Sequence, residues 1–255
     1  FKHIYRKKWK CGIHFIKNSE ILKILELQVI YMEQVEMWAG IVGRSVAGKI
    51  DNCSFNGNIK GKAYVGGIVG FVQGNDIQSI NKCVNYGNVE AVDTSSGGII
   101  GLGRRVNVSN CSNFGYVKCD VGRVGGIFGD AGYTVSIYNC FNAGHIYSDT
   151  STAGSMAAHI DWGGIVSNNY NVGDIEGKDI YAISNHPGTT ESKNNFFLEG
   201  AGKKGNFSSI IEKTKEYMQS QEFVNELNKY IDENPIEGII LLKWKYNEGN
   251  YPTFE

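Results

Sequence analysis

The chain has 255 residues and a formal net charge of -1, with 33 glycines, three prolines and six cysteines. A charge so near zero gives no reason to expect nucleic acid, whose binders gather Lys and Arg on one face, and no apolar run of 18 residues is present to cross a membrane. The length accommodates one domain or two, and the glycines divide it: 26 of 33 lie between Gly40 and Gly177, with none from Ile13 to Ala39 or from Asn206 to Glu237.

Residues 1–38 open on the basic stretch "FKHIYRKKWK", which lacks the apolar segment and small-residue cleavage site of a secretion signal. The start at Phe1 rather than Met points to a piece of a larger or processed chain. The stretch 19–38, "SEILKILELQVIYMEQVEMW", reads either as an amphipathic helix capping the glycine-rich segment or as a truncated repeat.

Residues 39–200 carry an internal repeat. Its first element is Gly40-Ile41-Val42-Gly43, returning at Gly67, Gly98 and Gly126. "AGSMA" (153–157) and "YAISN" (181–185) continue it, with Gly154 and then Ala182 at intervals of 28, so Gly163-Gly164-Ile165-Val166 is a decoy. The second element pivots on Cys53, Cys83, Cys111, Cys140, Asn169 and Asn195, at intervals of 30, 28, 29, 29 and 26 residues. Three residues before the first five pivots stand Ile50, Ile80, Val108, Ile137 and Val166; four after stand Gly57, Gly87, Gly115, Gly144 and Gly173.

Each unit holds short β-type segments separated by Gly, Asn, Asp or Ser. A unit of this size cannot bury its own apolar side, and stacking successive units solves that. The expected fold is therefore all-β: a parallel β-helix, or β-solenoid, of about six coils. The Ile and Val columns face inward, and the recurrent glycines are expected at positive φ in the corners. Cys53, Cys83, Cys111 and Cys140 form an inward ladder. Parallel strands hold neighbouring Cβ atoms farther apart than a disulfide spans, so the ladder is expected reduced. Asn85, Asn113, Asn142 and Asn171 are expected to bond one another from coil to coil.

Residues 201–255 read as a small α+β cap. Thr214 and Ser220 are helix N-caps, and Phe223, Val224, Leu227, Tyr230 and Ile231 share one helical face. "IDENP" ends that helix, "GIILLKWKY" comes next as a strand, and Trp244 is expected to pack the cap onto the end of the solenoid.

The repeat resembles the GLUG motif, a Gly-Leu/Ile-x-Gly core followed by an Asn-Cys-Tyr/Phe-Asn-x-Gly-x-Val-like element. The best copy is "GGIFGDAGYTVSIYNCFNAGHI" (125–146), and the likeness covers roughly 160 of the 255 residues. The resemblance implies a secreted or surface-anchored bacterial protein with an adhesive or stalk-like role, or else the non-catalytic repeat region of an immunoglobulin A1 zinc metallopeptidase.

No enzyme, metal or cofactor is expected from the motifs. His-Glu-x-x-His, Gly-x-Ser-x-Gly, Gly-x-x-x-x-Gly-Lys-Ser/Thr and Cys-x-x-Cys are all missing from the sequence. The candidate ligand site is His159, Asp161, Trp162, Asp174 and His186, with Asp179 nearby. A pair of carboxylates there would suit a carbohydrate-active β-helix enzyme, the third reading; solvated turn residues are the plain alternative. Arg104, Arg105 and Arg123 form a candidate basic patch for an acidic glycan or protein. Tyr86, Tyr116, Tyr133, Tyr138, Tyr147 and Tyr170 offer aromatic surface. A host protein or glycan is the expected partner, and the expected location is extracellular.

Overall fold

The computed structural model describes residues 37–185, 191–205 and 209–255, together with the backbone of the short strands Gly12–His14, Ile16–Lys17 and Glu20–Ile21. The expected helix over 19–38 falls almost wholly outside the described residues. Of the N-terminal segment, the backbone of Gly12–His14 pairs antiparallel with Lys49–Asp51.

The chain winds as a succession of short strands into a β-solenoid of about six coils. Four walls result. The glycine wall stacks Val42–Ser45, Val69–Val72, Ile100–Gly103, Phe128–Ala131, Ala157–His159 and Ser184–Asn185. The isoleucine wall stacks Lys49–Asp51, Gln78–Asn81, Val106–Ser109, Val135–Tyr138, Ile165–Ser167 and Glu191–Lys193. The asparagine wall runs from Ser54–Phe55 to Asn195–Leu198 and takes a further strand, Ile210–Lys213. The fourth wall is the widest, because Ile146–Gly154 joins two strand rows that are separate in earlier coils.

Pairing between coils is parallel and in register. Ile50, Ile80, Val108, Ile137 and Val166 face one another in that order, all buried, as their spacing predicts. Gly154 lies opposite Gly125 rather than Gly126, one residue from the expected alignment. The small-residue column is thus Gly67, Gly98, Gly126, Ser155 and Ala182.

That column corrects the role given to the recurrent glycines. Gly67, Gly98 and Gly126 are not left-handed; a Cβ on any of them would enter the carbonyl oxygen of the coil above. They are needed for close approach. The left-handed corner residues are Asn52, Lys82, Asn110, Asn139, Asn168 and Asn194, at φ 54°, 54°, 53°, 54°, 57° and 50°. Five of these six are Asn, the non-glycine type that tolerates this region best.

The ladders behave mostly as their columns suggest. Asn85, Asn113, Asn142 and Asn171 bond in sequence, Nδ2 to Oδ1, at 2.7, 2.8 and 2.8 Å. Each Nδ2 also bonds the carbonyl two residues on, at 3.0, 3.1, 2.9 and 3.0 Å, so one side chain closes the turn and ties two coils. Cys83, Cys111 and Cys140 are buried free thiols, and the Sγ of Cys111 accepts from the Cys83 amide at 3.4 Å. Cys53 departs from the expected reduced ladder: it is disulfide-bonded.

The C-terminal segment corrects a second expectation. Beyond Ile210–Lys213, helices α1 (Lys215–Met218) and α2 (Gln221–Glu233) fold back along the outside of the asparagine wall. They begin at the predicted caps, with Thr214 accepting from the Tyr217 amide and Ser220 from that of Phe223. Phe223, Val224 and Leu227 bury against Phe141, Tyr170 and Phe196, and Trp244 fills the same cluster. The wall's outward aromatics explain the placement, since they are apolar surface that only a flank cover removes from water. The predicted strand over 238–246 is confined to Trp244–Lys245, paired with Thr253–Phe254. Residues 240–243 have side-chain amides, not a strand, beside them.

Those amides belong to the left-handed column. Asn110 donates to the Ile240 carbonyl at 2.8 Å and accepts from the Leu242 amide at 2.8 Å. Asn139 donates to the Leu242 carbonyl at 2.9 Å and accepts from the Trp244 indole at 2.6 Å. The column also bonds within itself, Asn139 to Asn110, Asn168 to Asn139 and Asn194 to Asn168, at 2.8, 2.7 and 2.6 Å, and Asn110 bonds the neighbouring Asn81 at 2.7 Å. Both donors and both acceptor positions of Asn139 are used.

Candidate functional site

The corner joining the glycine wall to the isoleucine wall varies from coil to coil. It takes residues 104–105 in one coil, 132–134 in the next and 160–164 in the one after. The walls stay in register, so the extra residues of this five-residue turn, as long as the turn 73–77 of an earlier coil, must project outward. Trp162 stands at its tip, 73% exposed. Gly163 comes next at φ 60°, and Thr134 and Arg105 hold the matching left-handed position at 56° and 50°.

Three coils thus place Arg104 and Arg105, then Tyr133, then Trp162 in a row. The Thr134 amide bonds the Trp162 carbonyl at 2.9 Å and the Arg105 amide that of Tyr133 at 3.1 Å. The guanidinium carbons of Arg104 and Arg105 lie 5.7 and 5.2 Å from the centre of the Tyr133 ring, within cation–π range. Arg105 also bonds the Asn75 carbonyl at 3.3 Å, which ties it to the preceding coil. Arg123 is elsewhere, spent on Asp130 at 2.7 Å. The expected patch therefore holds two arginines.

His159 ends its strand with its side chain outward, and its Nε2 lies 3.0 Å from Asp161 Oδ1. Asp174 occupies a different corner, between the asparagine wall and the widest wall, and Asp179 lies on the widest wall opposite Thr152. Asp161 and Asp174 are therefore not assembled about one bond, as paired acid–base chemistry requires. His186 lies outside the described residues. Among the described residues no cluster of three or more His, Cys, Asp or Glu is placed to hold a metal.

The tyrosines divide. Tyr170 and Tyr138 are buried rather than displayed. Tyr170 lies beneath the helical cover, donates its hydroxyl to the Pro252 carbonyl, and has its phenol pushed well up by burial. Tyr86 is exposed but stacks on Phe114, with centroids 5.3 Å apart and planes 9° apart. Tyr116 meets His145 edge-on, and Tyr147 lies under Lys118. Burial also pushes the Cys83 and Cys111 thiols well up, keeping them protonated and poor nucleophiles.

Sequence reasoning named every member of the corner row without joining them. The signal was there: 104, 133 and 162 are 29 residues apart. It missed the left-handed asparagines as a docking strip, although Asn precedes five of the six pivots. Comparison of the chain with models of known families, with curated proteins and with solved structures gives no match in any of the three.

Proposed function

We propose that this chain is a non-catalytic, extracellular repeat module of a bacterial surface or secreted protein, acting as an adhesive spacer of the GLUG type. The observation that carries the reading is a division of labour. The repeated columns join coil to coil: the Ile core, the thiols and both amide ladders. What differs between coils, the row ending in exposed Trp162, is left for other molecules. A rod built this way keeps its side faces fixed relative to one another, which suits attachment at a distance from an anchor. The repeat lettering of residues 125–146 supports the family, and the disulfide at Cys53 fits an oxidising compartment.

The test displays the full chain on an inert bead and measures retention on host-cell and mucin-coated surfaces. Retention above that of a bare bead is expected. Incubation with immunoglobulin A1 and a polysaccharide panel should yield no fragments; cleavage of either overturns the non-catalytic reading.

A further inference from the structure

We infer that the Trp162 corner binds a carboxylated oligosaccharide, an assignment that rests on the adhesive reading and names its ligand. Trp162 is 73% exposed, and no described aromatic or cationic side chain stacks on it. Its indole thus offers an open face of the kind that covers the C–H face of a sugar ring. Tyr86 has one face already taken, stacked on Phe114. Asp161, beside the indole in sequence, is bound to His159 through Oδ1, leaving Oδ2 to accept from a sugar hydroxyl.

The charge comes from two coils back. Arg104 has no carboxylate partner among the described residues, unlike Arg123, and it lies over the Tyr133 ring. Its planar fork matches a carboxylate in two parallel hydrogen bonds, and the ring beneath it limits the freedom lost on binding. Two strand spacings, about 10 Å, separate the backbone of Arg104 from that of Trp162, with the guanidinium over Tyr133 in the coil between. That is the reach of a disaccharide, with one ring on Trp162 and the carboxylate of its neighbour at Arg104. A neutral glycan would use the indole and leave the arginine idle.

The experiment titrates the full chain with 3′-sialyllactose, a hyaluronan tetrasaccharide and lactose, following tryptophan fluorescence and heat. At least one carboxylated sugar should bind roughly tenfold tighter than lactose, and whichever does identifies a sialic or a uronic acid as the charged unit. Arg104→Gln should erase that preference while lactose binding stays. Trp162→Ala should weaken every sugar about tenfold, with melting temperature unchanged in both variants. Equal binding of lactose and both acids, or acid binding that survives Trp162→Ala, overturns the inference. If none of the three sugars binds while beads still attach to host surfaces, the ligand class is wrong and adhesion stands. If attachment fails as well, both fall.

Discussion

Aromatic side chains stand in two adjoining columns of the asparagine wall and meet two fates. In the later coils Phe141, Tyr170 and Phe196 lie at most 3% exposed beneath α2 and Trp244. In the earlier coils Tyr86 and Phe114, in the column two residues further along the chain, are 53% and 40% exposed and hold each other by stacking. Both sets are aromatic; the later one lies under the cover and the earlier one does not. Burial on a solenoid flank is therefore decided by what folds back over it, whereas the interior is decided by the repeat itself.

The variant that breaks the interior should cost most. Ile137→Asp places a carboxylate at a position that is 0% exposed, and a loss of at least about 4 kcal/mol in urea unfolding is expected. Unchanged stability would mean that the column does not face inward. Next comes the cover. Trp244→Ala removes a ring 5.7 Å from Phe141 and 5.2 Å from Tyr170, as well as the indole bond to Asn139, and should cost about 3 kcal/mol. Hydrogen exchange should then show α2 opening before the coils; simultaneous opening would show that the cover and solenoid are one cooperative unit.

The same contrast has a pH signature. Burial raises the Tyr170 phenol well above its usual 10.0, so the folded state keeps this proton where the unfolded chain gives it up. Its contribution is complete below pH 10 and falls as pH rises beyond that value. Melting temperature should drop above pH 10, and Tyr170→Phe should lessen the drop. An equal drop in the variant would assign it to other groups, the buried thiols first. Smallest of all is Tyr86→Ser on the uncovered flank, with a change of about 0.5 kcal/mol or less by urea unfolding. A loss near that of Trp244→Ala would reveal that this flank, too, is covered.

Legibility in the sequence divides along the same line. A column that repeats at coil period advertises itself, so Ile137, Cys111 and Asn113 were readable from spacing alone. The glycines were readable as a column but not in their purpose, because letters do not distinguish a left-handed residue from one with another backbone against it. The separation of Asp161 from Asp174 was also available: 13 residues is about half of a 28-residue turn, which takes the chain to another side. The site of the cover was not. The pattern Phe223, Val224, Leu227 says that one helical face is buried, and nothing in it says against which surface.

The C-terminal tail gives the rod a property that coil stacking does not. Tension along the axis pulls neighbouring coils apart, and between most coils the backbone pairing of the walls and the rungs of the side-chain ladders resist it. Residues 240–244 run lengthwise instead, gripping Asn110 and Asn139 on successive turns, while the Leu227 carbonyl takes Asn168 on the next. They lie across those joints as a tendon lies across knuckles, so the joints between these three coils share a load that each would otherwise bear alone.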